Sequence, residues 1–272
     1  MPYSGEFRPL MRKSVYTTEG KDTADHMKTT METAISAIHQ FSESLGNAID
    51  AKDPYTEKHS LEVAEISRIL ALSLGLGAEA ANIIHIAGHL HDIGKIGVPD
   101  AIIHKQGPMT ESEKLLMRRH PEIGADILRP VREITASGIC EMVLCHHEHY
   151  DGNGYPFGIS GEDIPMGARI IAVADSLSAM TGTRTYRAAK SFAAAVDEIV
   201  RCAGTQFDPA IVTALITERE EVQNTMCSLQ NSLMDSHFGF SGLFFRNTGY
   251  RKNPIRISVP GFIPENAQLY TN

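Results

Sequence analysis

Apolar residues recur at steps of three and four in successive segments of this 272-residue chain. Such spacing places them along one face of an α-helix. Before residue 220 we find no segment with the alternating pattern of a β-strand, and no hairpin or internal repeat. The sequence therefore predicts an all-α fold, in which several helices share one core.

The predicted helices are separated by proline, glycine and capping residues. The first starts near Asp25 and carries an apolar stripe made of Met27, Met31, Ile35, Ile38, Phe41, Leu45 and Ile49. Asp53-Pro54 ends this helix, because a residue that precedes proline disfavours the helical conformation. A second helix carries His59 and ends near Gly75, and a third covers about residues 79–92.

Later helices have start signals of their own. Thr110 and Glu113 have the spacing of a capping box. Ser191 is typical of an N-cap, and Asp208-Pro209 predicts an N-cap followed by proline in the first turn of the last core helix. Further helices are predicted over about residues 131–147 and 166–181.

Composition divides the chain into three parts. Residues 1–22 are polar and are predicted to be a flexible lead-in, and residues 23–220 are predicted to form the helical domain. Residues 221–272 form a C-terminal extension in which phenylalanines stand among Gly and Ser, followed by three prolines. We expect this tail to be irregular, and it is left open whether it packs on the core, covers the site or mediates self-association into a homo-oligomer.

Charge and cysteine usage limit the classes of partner. The net charge of −8 argues against a protein that binds a nucleic acid polymer or a membrane surface, since both require a cationic face. A nucleotide substrate stays open, because a metal site can supply local positive charge. Residues 1–25 contain no apolar run, no 18-residue uncharged apolar stretch occurs, and the four cysteines form no CxxC pair. We therefore expect a cytoplasmic protein with reduced thiols.

The strongest functional signal lies in the histidines, of which there are 12. Imidazole nitrogens and carboxylate oxygens are common ligands of manganese, iron and zinc, and the interior of a helical bundle can collect them from separate helices. Five sequence groups contain the candidate ligands: His59 in YTEKHS, His91-Asp92 in HDIGKIG, His120 in RRHPEIG, His146-His147 in HHEHYDGNGYP, and Asp175 in AVADSLSAM.

This set of residues predicts metal-assisted phosphate chemistry. The two oxygens of Asp92 could bridge two metals, and Lys95, one turn after His91, could contact a phosphate. Two divalent metals would lower the pKa of a bridging water, neutralise a phosphodiester and stabilise the leaving oxygen.

Over about residues 46–215 the chain resembles the HD-GYP family, a branch of the HD phosphohydrolase superfamily. The resemblance rests on the motifs above in the same order, together with RIIAVADSLSAMTGTRTYR and QFDPAIV. It implies an HD-domain helical bundle that hydrolyses cyclic di-GMP to linear pGpG or GMP, with a metal-bound hydroxide as the attacking group. It also implies two divalent metals, iron or manganese, with zinc or nickel as alternatives in purified protein.

The resemblance also implies roles for individual residues. One metal would be held by His59, His91, Asp92 and Asp175, and the second by Asp92, His120, His146 and His147. Asp92 would bridge the two metals, Lys95 would lie by the scissile phosphate, and Arg184 and Arg187 would contact phosphate, unless these arginines form surface ion pairs. Gly154, Tyr155 and Pro156 form the GYP loop, which would bind a partner such as a diguanylate cyclase (GGDEF) protein or would only shape the rim of the site.

Several points leave alternatives open. Tyr55 stands where some members carry a glutamate for a third metal, so we expect two metals. We expect Glu148 to orient a ligand histidine. His85 and His89 stand where the family is apolar, and they are interpreted as buried or rim histidines, with donors to the ligands or an adventitious metal pair as alternatives. The alternative functions are a cyclic di-GMP sensing or protein-docking module, and a phosphohydrolase for another cyclic dinucleotide or nucleotide.

Overall fold

A computed structural model describes residues 36–53, 58–182 and 189–237 of the chain, with side chains as far as residue 231. The described part is built from α-helices joined by short turns and two 3₁₀ segments, Ile93–Gly97 and Gly161–Asp163, and it contains no β-strand. This confirms the all-α prediction. The helices are α1 (residues 36–52), α2 (His59–Ser73), α3 (Gly77–Leu90), α4 (Asp100–Ile103), α5 (Glu111–Met117), α6 (His120–Leu128), α7 (Arg132–Ala136), α8 (Ile139–Cys145), α9 (Met166–Thr181), α10 (Phe192–Arg201), α11 (Pro209–Thr217) and α12 (Arg219–His237).

The centre of the bundle is formed by α2, α3 and α9. Helix α2 packs against both α3 and α9, while α8 packs on α3, α6 and α9. Ile66 and Leu70 of α2 and Ile171 and Leu177 of α9 are fully buried. Two of the candidate metal ligands, His59 and Asp175, are therefore carried by helices whose side chains are buried in the centre of the bundle.

Helix α1 differs from the predicted apolar stripe. Ile49 is buried, but Phe41 is 72% exposed and Leu45 is 42% exposed. The buried face of α1 instead includes Ser42, Gly46 and Asp50. Small and polar side chains on this face allow α1 to lie close to its neighbours, and this turns Phe41 and Leu45 outward. Met27, Met31 and Ile35 lie outside the described residues.

The helix predicted over residues 131–147 is divided in two. Gly138 adopts φ 79°, in the left-handed region, between the end of α7 and the start of α8. Such a conformation interrupts a right-handed helix. The prediction of one continuous helix is therefore wrong, although α8 still ends next to His146.

The predicted caps are confirmed. Thr110 and Glu113 form a reciprocal capping box, Ser191 accepts a hydrogen bond from the amide of Ala194, and Asp208 accepts one from the amide of Ala210. Helix α11, however, is not the last helix of the core.

Helix α12 follows α11, and its Val222 and Met226 are buried in the core. The chain divides into two units, Met1–Ser232 and Leu233–Asn272. In the second unit the described residues, 233–237, are helical, and the rest of the predicted tail lies outside the described residues. The predicted domain boundaries stay predictions. Among the described residues, no helix has the length and apolar character needed to cross a membrane.

Candidate metal centre

Seven histidine and aspartate side chains from five parts of the bundle converge at one end of α3. They come from the start of α2, the turn after α3, the start of α6, the turn after α8 and the middle of α9. Their ligand atoms form overlapping groups in which every atom lies within 4.8 Å of the others. The structure thus brings together all the metal ligands predicted from the sequence: His59, His91, Asp92, His120, His146, His147 and Asp175.

The helix termini determine the tautomers of three of these histidines. In each, Nδ1 lies 2.6–2.8 Å from the carbonyl oxygen three residues earlier, the pairs being His91 with Gly88, His120 with Met117 and His146 with Val143. A carbonyl oxygen can only accept, so Nδ1 carries the proton and donates it. In the neutral ring Nε2 then has a free lone pair that faces the interior, as in a metal-binding histidine.

These lone pairs lie too close together without a cation between them. Nε2 of His120 and Nε2 of His146 are 3.3 Å apart, although neither neutral ring has a proton there to donate. Nε2 of His91 is buried and makes no hydrogen bond. Such unsatisfied, mutually repelling nitrogens are costly in a buried site. A divalent metal ion satisfies them, so the donor set fits the metals that the sequence predicts.

Asp92 contacts both groups of histidines. Its Oδ1 lies 3.3 Å from Nε2 of His120, and its Oδ2 lies 3.3 Å from Nε2 of His91. Oδ2 also lies 3.8 Å from Nε2 of His59. Asp92 therefore directs one oxygen toward each group of histidines.

On the other side of Asp92, His59 faces Asp175 at 3.2 Å between Nε2 and Oδ1. The opposite nitrogen of His59, Nδ1, lies 2.9 Å from Oγ of Ser178. Ser178 donates its own proton to Glu62 at 2.6 Å. The serine oxygen therefore accepts a hydrogen bond from the Nδ1–H of His59. Nε2 of His59 is left to face the carboxylates.

The ionised carboxylates of the site attract positive charge, whereas burial opposes protonation of its histidines. Burial opposes protonation of His91, but Asp92 and Asp175 outweigh it and raise its pKa to about 9. Burial lowers the pKa of His147 to about 3. The pKa of Asp92 lies well below its usual value, since Lys95 and His91 outweigh the effect of burial. The centre thus combines ionised carboxylates with imidazoles of both kinds: His120, His146 and His147 are kept neutral by burial, whereas His91 holds a proton between the carboxylates when no cation is bound.

Two contacts hold the turn that carries Asp92. Gly94 lies so close to α6 that an added Cβ would lie 2.5 Å from the backbone nitrogen of Gly124. Lys52 of α1 donates to the carbonyl oxygens of Lys95, Ile96 and Val98 at 3.1–3.2 Å. The HDIGKIG motif therefore acts partly through packing, because glycine permits the close approach of the turn to the helix that carries His120.

Lys95 points into the same site. Its Nζ lies 2.7 Å from Oδ2 of Asp92 and 3.7 Å from Oδ2 of Asp53. In this position its charge offsets that of Asp92, and a bound phosphate could attract it.

The GYP loop borders the centre and is anchored to it. The ring of Tyr155 stacks on His147 at 4.8 Å between centroids, and the guanidinium of Arg118 lies 5.2 Å from the Tyr155 centroid. Tyr155-Pro156 is a cis peptide, and Gly154 packs against the backbone of Glu148. Tyr155 therefore shapes the wall of the site.

The expectation that Glu148 orients a ligand histidine is wrong. Its buried carboxylate accepts hydrogen bonds from the amides of Phe157 (2.6 Å) and Gly158 (3.1 Å). Because these amides belong to the loop, Glu148 fixes the loop and not a ligand.

Ser178 and Glu62, which lie behind His59 and set its tautomer, were not predicted from the sequence. The only signal was Ser178 at three residues after Asp175, on the same face of a helix. Arg184, Arg187 and Tyr55 lie outside the described residues, so their predicted roles stay predictions.

Comparison with known proteins places these features in a family. The family model described as "HD domain" matches residues 43–211. The chain is 38% identical over 179 residues to the cyclic di-GMP phosphodiesterase response regulator RpfG of Xanthomonas campestris, covering 66% of this chain and 47% of that protein. It is 42% identical over 147 residues to 3'3'-cGAMP-specific phosphodiesterase 1 of Vibrio cholerae, covering 54% of this chain and 34% of that protein. The chain thus spans less than half the length of either relative.

A solved structure shares the fold. Bd1817, an HDG"Y"P protein from Bdellovibrio bacteriovorus, superposes with a TM-score of 0.52 at 17% identity, covering 66% of this chain and 63% of that one. The family match extends from α1 to α11 and includes every side chain of the candidate centre. The chain therefore belongs to the HD domain family, in the HD-GYP branch that its motifs indicate.

Proposed function

We propose that this chain is a metal-dependent phosphodiesterase that hydrolyses cyclic di-GMP. The observation that carries the proposal is the convergence of buried imidazole Nε2 atoms on the two oxygens of Asp92. The names of relatives such as the cyclic di-GMP phosphodiesterase response regulator RpfG support the choice of substrate. A donor set of this kind serves phosphate ester hydrolysis, in which charge develops on phosphate oxygens.

We assign a first metal to His59, His91, Asp92 and Asp175, and a second to Asp92, His120, His146 and His147. The grouping of the ligand atoms supports this division. When bound, the two cations supply Lewis acidity toward the phosphodiester and lower the pKa of water. Imidazole and carboxylate ligands suit iron or manganese, with zinc or nickel as alternatives in purified protein.

The side chains of the centre have separate tasks. Asp92 contacts both histidine groups and so fixes their relative position, and Ser178 keeps Nε2 of His59 directed inward. Lys95, 2.7 Å from Asp92, provides a positive charge that a phosphate oxygen can attract. Arg184 and Arg187 are assigned to further phosphate contacts. The products we propose are linear pGpG and GMP.

A second substrate has a specific observation in its favour. The relative with 42% identity is named a 3'3'-cGAMP-specific phosphodiesterase, and this identity exceeds the 38% shared with RpfG. Both nucleotides are closed by phosphodiester bonds and differ in one base. The centre does not discriminate between them, because its residues act on phosphate.

A docking role for the GYP loop is proposed separately. Tyr155 is occupied by its stack on His147, whereas Phe157 is 60% exposed at the surface of the same loop. We therefore propose that a diguanylate cyclase (GGDEF) partner docks through the GYP loop, Gly154, Tyr155 and Pro156, with the adjacent exposed Phe157 as an additional contact. The four free cysteines are in keeping with a reducing, cytoplasmic setting.

The experiment is a substrate panel. The full chain, loaded anaerobically with Fe²⁺ or Mn²⁺, is incubated with cyclic di-GMP, 3'3'-cGAMP, cyclic di-AMP and mononucleotides, and products are separated by chromatography. We expect cyclic di-GMP to give the highest kcat/KM. Faster turnover of 3'3'-cGAMP supports the second substrate, and cleavage of mononucleotides alone contradicts the cyclic dinucleotide class.

A further inference from the structure

A second histidine cluster lies outside the candidate centre and shares no residue with it. Nε2 of His85 lies 2.8 Å from Nε2 of His39 and 3.2 Å from Nε2 of His89. His85 and His89 are one turn apart on α3, while His39 comes from α1. Both α3 histidines are buried, and the three side chains can present one ligand nitrogen each within 4.8 Å of the others.

Protons alone cannot satisfy this arrangement. Nε2 of an imidazole has one position in the ring plane, which either donates one hydrogen or offers one lone pair. Nε2 of His85 can therefore form a good hydrogen bond with only one of its two neighbours. The other contact leaves two nitrogens, at least one of them buried, facing each other without a shared proton, and this costs free energy.

A metal cation removes this conflict, since it accepts a lone pair from all three nitrogens. We propose that His39, His85 and His89 form a second metal site, for zinc or another d-block dication. Imidazole is a preferred ligand of these ions, and two histidines at i and i+4 on a helix present their nitrogens to one ion.

The packing of α1 keeps the third ligand in place. At Gly46, two turns after His39, α1 lies so close to α3 that an added Cβ would be 2.8 Å from the carbonyl oxygen of His89. Asp50 then bonds the amide and hydroxyl of Ser60 at 3.0 and 2.8 Å, which fastens α1 to α2. His39 is thus held over α3 by contacts that do not involve the imidazole rings of the cluster.

The cluster is open to small solutes on one side. His39 and His85 line a cavity of about 1070 Å³, which also exposes Glu65, Arg68 and Asn82. An ion can enter through this cavity, and water can occupy the coordination position that three protein ligands leave open. A metal here would fasten α1 to α3, the helix that leads into His91 and Asp92.

The proposal is tested by measuring how many zinc ions each chain binds. The full chain is equilibrated with Zn²⁺ and the metal bound per chain is measured by mass spectrometry for the wild type, His39→Gln and His85→Gln. His104→Gln is the matched control, because His104 is an exposed histidine outside both clusters. We expect each cluster variant to bind one equivalent less than the wild type, and the control to bind the same amount.

The two metal sites are distinguished in the same experiment. Asp92→Asn removes a ligand of the main centre only, so the equivalent that His85→Gln removes should still be present in Asp92→Asn. Crystals of the wild type with Zn²⁺ give a reading that needs no substitution: an anomalous peak should lie within bonding distance of the three Nε2 atoms. Equal zinc content in the wild type and the cluster variants, or absence of that peak, overturns the proposal.

Discussion

Ser178 lies 2.9 Å from Nδ1 of His59, with its own proton directed 2.6 Å away to Glu62. The serine is buried in α9 one turn after Asp175, which His59 contacts with its other nitrogen. One face of α9 thus supplies both a candidate metal ligand and the group that sets the tautomer of another. Ser178 is a positioning residue, since it acts through His59.

Ser178→Ala is expected to lower metal affinity by about tenfold to about a hundredfold, because partners that orient metal-binding histidines have effects of that size. The measurement is a competition titration with a metal chelator. Ser67→Ala is the matched control, since Ser67 is a fully buried serine of α2 whose hydroxyl has no hydrogen-bond partner. If the two variants bind metal equally well, Ser178 does not position His59.

Gly94→Ala is expected to destabilise the protein by about 1–3 kcal/mol, the usual cost of overpacking. The added methyl group would meet the backbone of α6 at His120 and Gly124. Denaturant unfolding measures the loss. Gly182→Ala is the control, because its added Cβ would lie 3.4 Å from its neighbour, an ordinary contact. A loss no larger at Gly94 than at Gly182 contradicts the close approach.

The metal-free protein is expected to lose stability in acid. Burial lowers the pKa of His147 and of His89 from 6.5 to about 3, so the unfolded chain binds these protons and the folded chain does not. The free energy of unfolding must then fall as pH falls through that window. His91, with its pKa raised to about 9, contributes its full stabilisation throughout the window and does not alter the slope.

Denaturant titrations of metal-free protein at about pH 7 and about pH 4.5 test this pH dependence. His147→Gln removes one of the buried histidines whose pKa is lowered, so its loss of stability between the two pH values should be smaller than that of the wild type. A wild-type protein that is equally stable or more stable in acid contradicts the pKa shifts.

Glu148→Gln is expected to loosen the GYP loop, because a neutral amide accepts hydrogen bonds from Phe157 and Gly158 less strongly than a carboxylate. Hydrogen exchange of those two amides should become faster, while the metal content stays unchanged. Glu141→Gln, at an exposed position of α8, serves as the control. Loss of metal in Glu148→Gln with unchanged exchange would restore the role in ligand orientation that the hydrogen bonds exclude.

The sequence predicted well what depends on local chemistry. The caps at Thr110, Ser191 and Asp208 follow from side chains that act within one turn, and the predicted range of α9 is also the observed one. The seven candidate ligands were found because histidine and aspartate stand in dense, unusual motifs. That these residues meet at one place depends on how five segments pack, which local sequence does not show. The resemblance to a family implied it.

The features that the sequence could not predict depend on which faces of the helices pack against each other. The apolar stripe of α1 suggested that Phe41 and Leu45 are buried, but the close approach at Gly46 selects a different face. Ser178 and Glu62 are separated by 116 positions and belong to common residue types, so their contact appears only when α2 lies beside α9. For the same reason Glu148 was assigned to a histidine beside it in sequence, whereas its partners lie in the folded loop.

The most direct test is the metal content and cyclic di-GMP hydrolysis of Asp92→Asn beside the wild type, with Asp163→Asn as an exposed control. Because Asp92 contacts both histidine groups, we expect this variant to hold two fewer equivalents of Fe²⁺ or Mn²⁺ and to lose hydrolysis, while the control matches the wild type. Full metal content together with full activity in Asp92→Asn would contradict a centre built around this carboxylate.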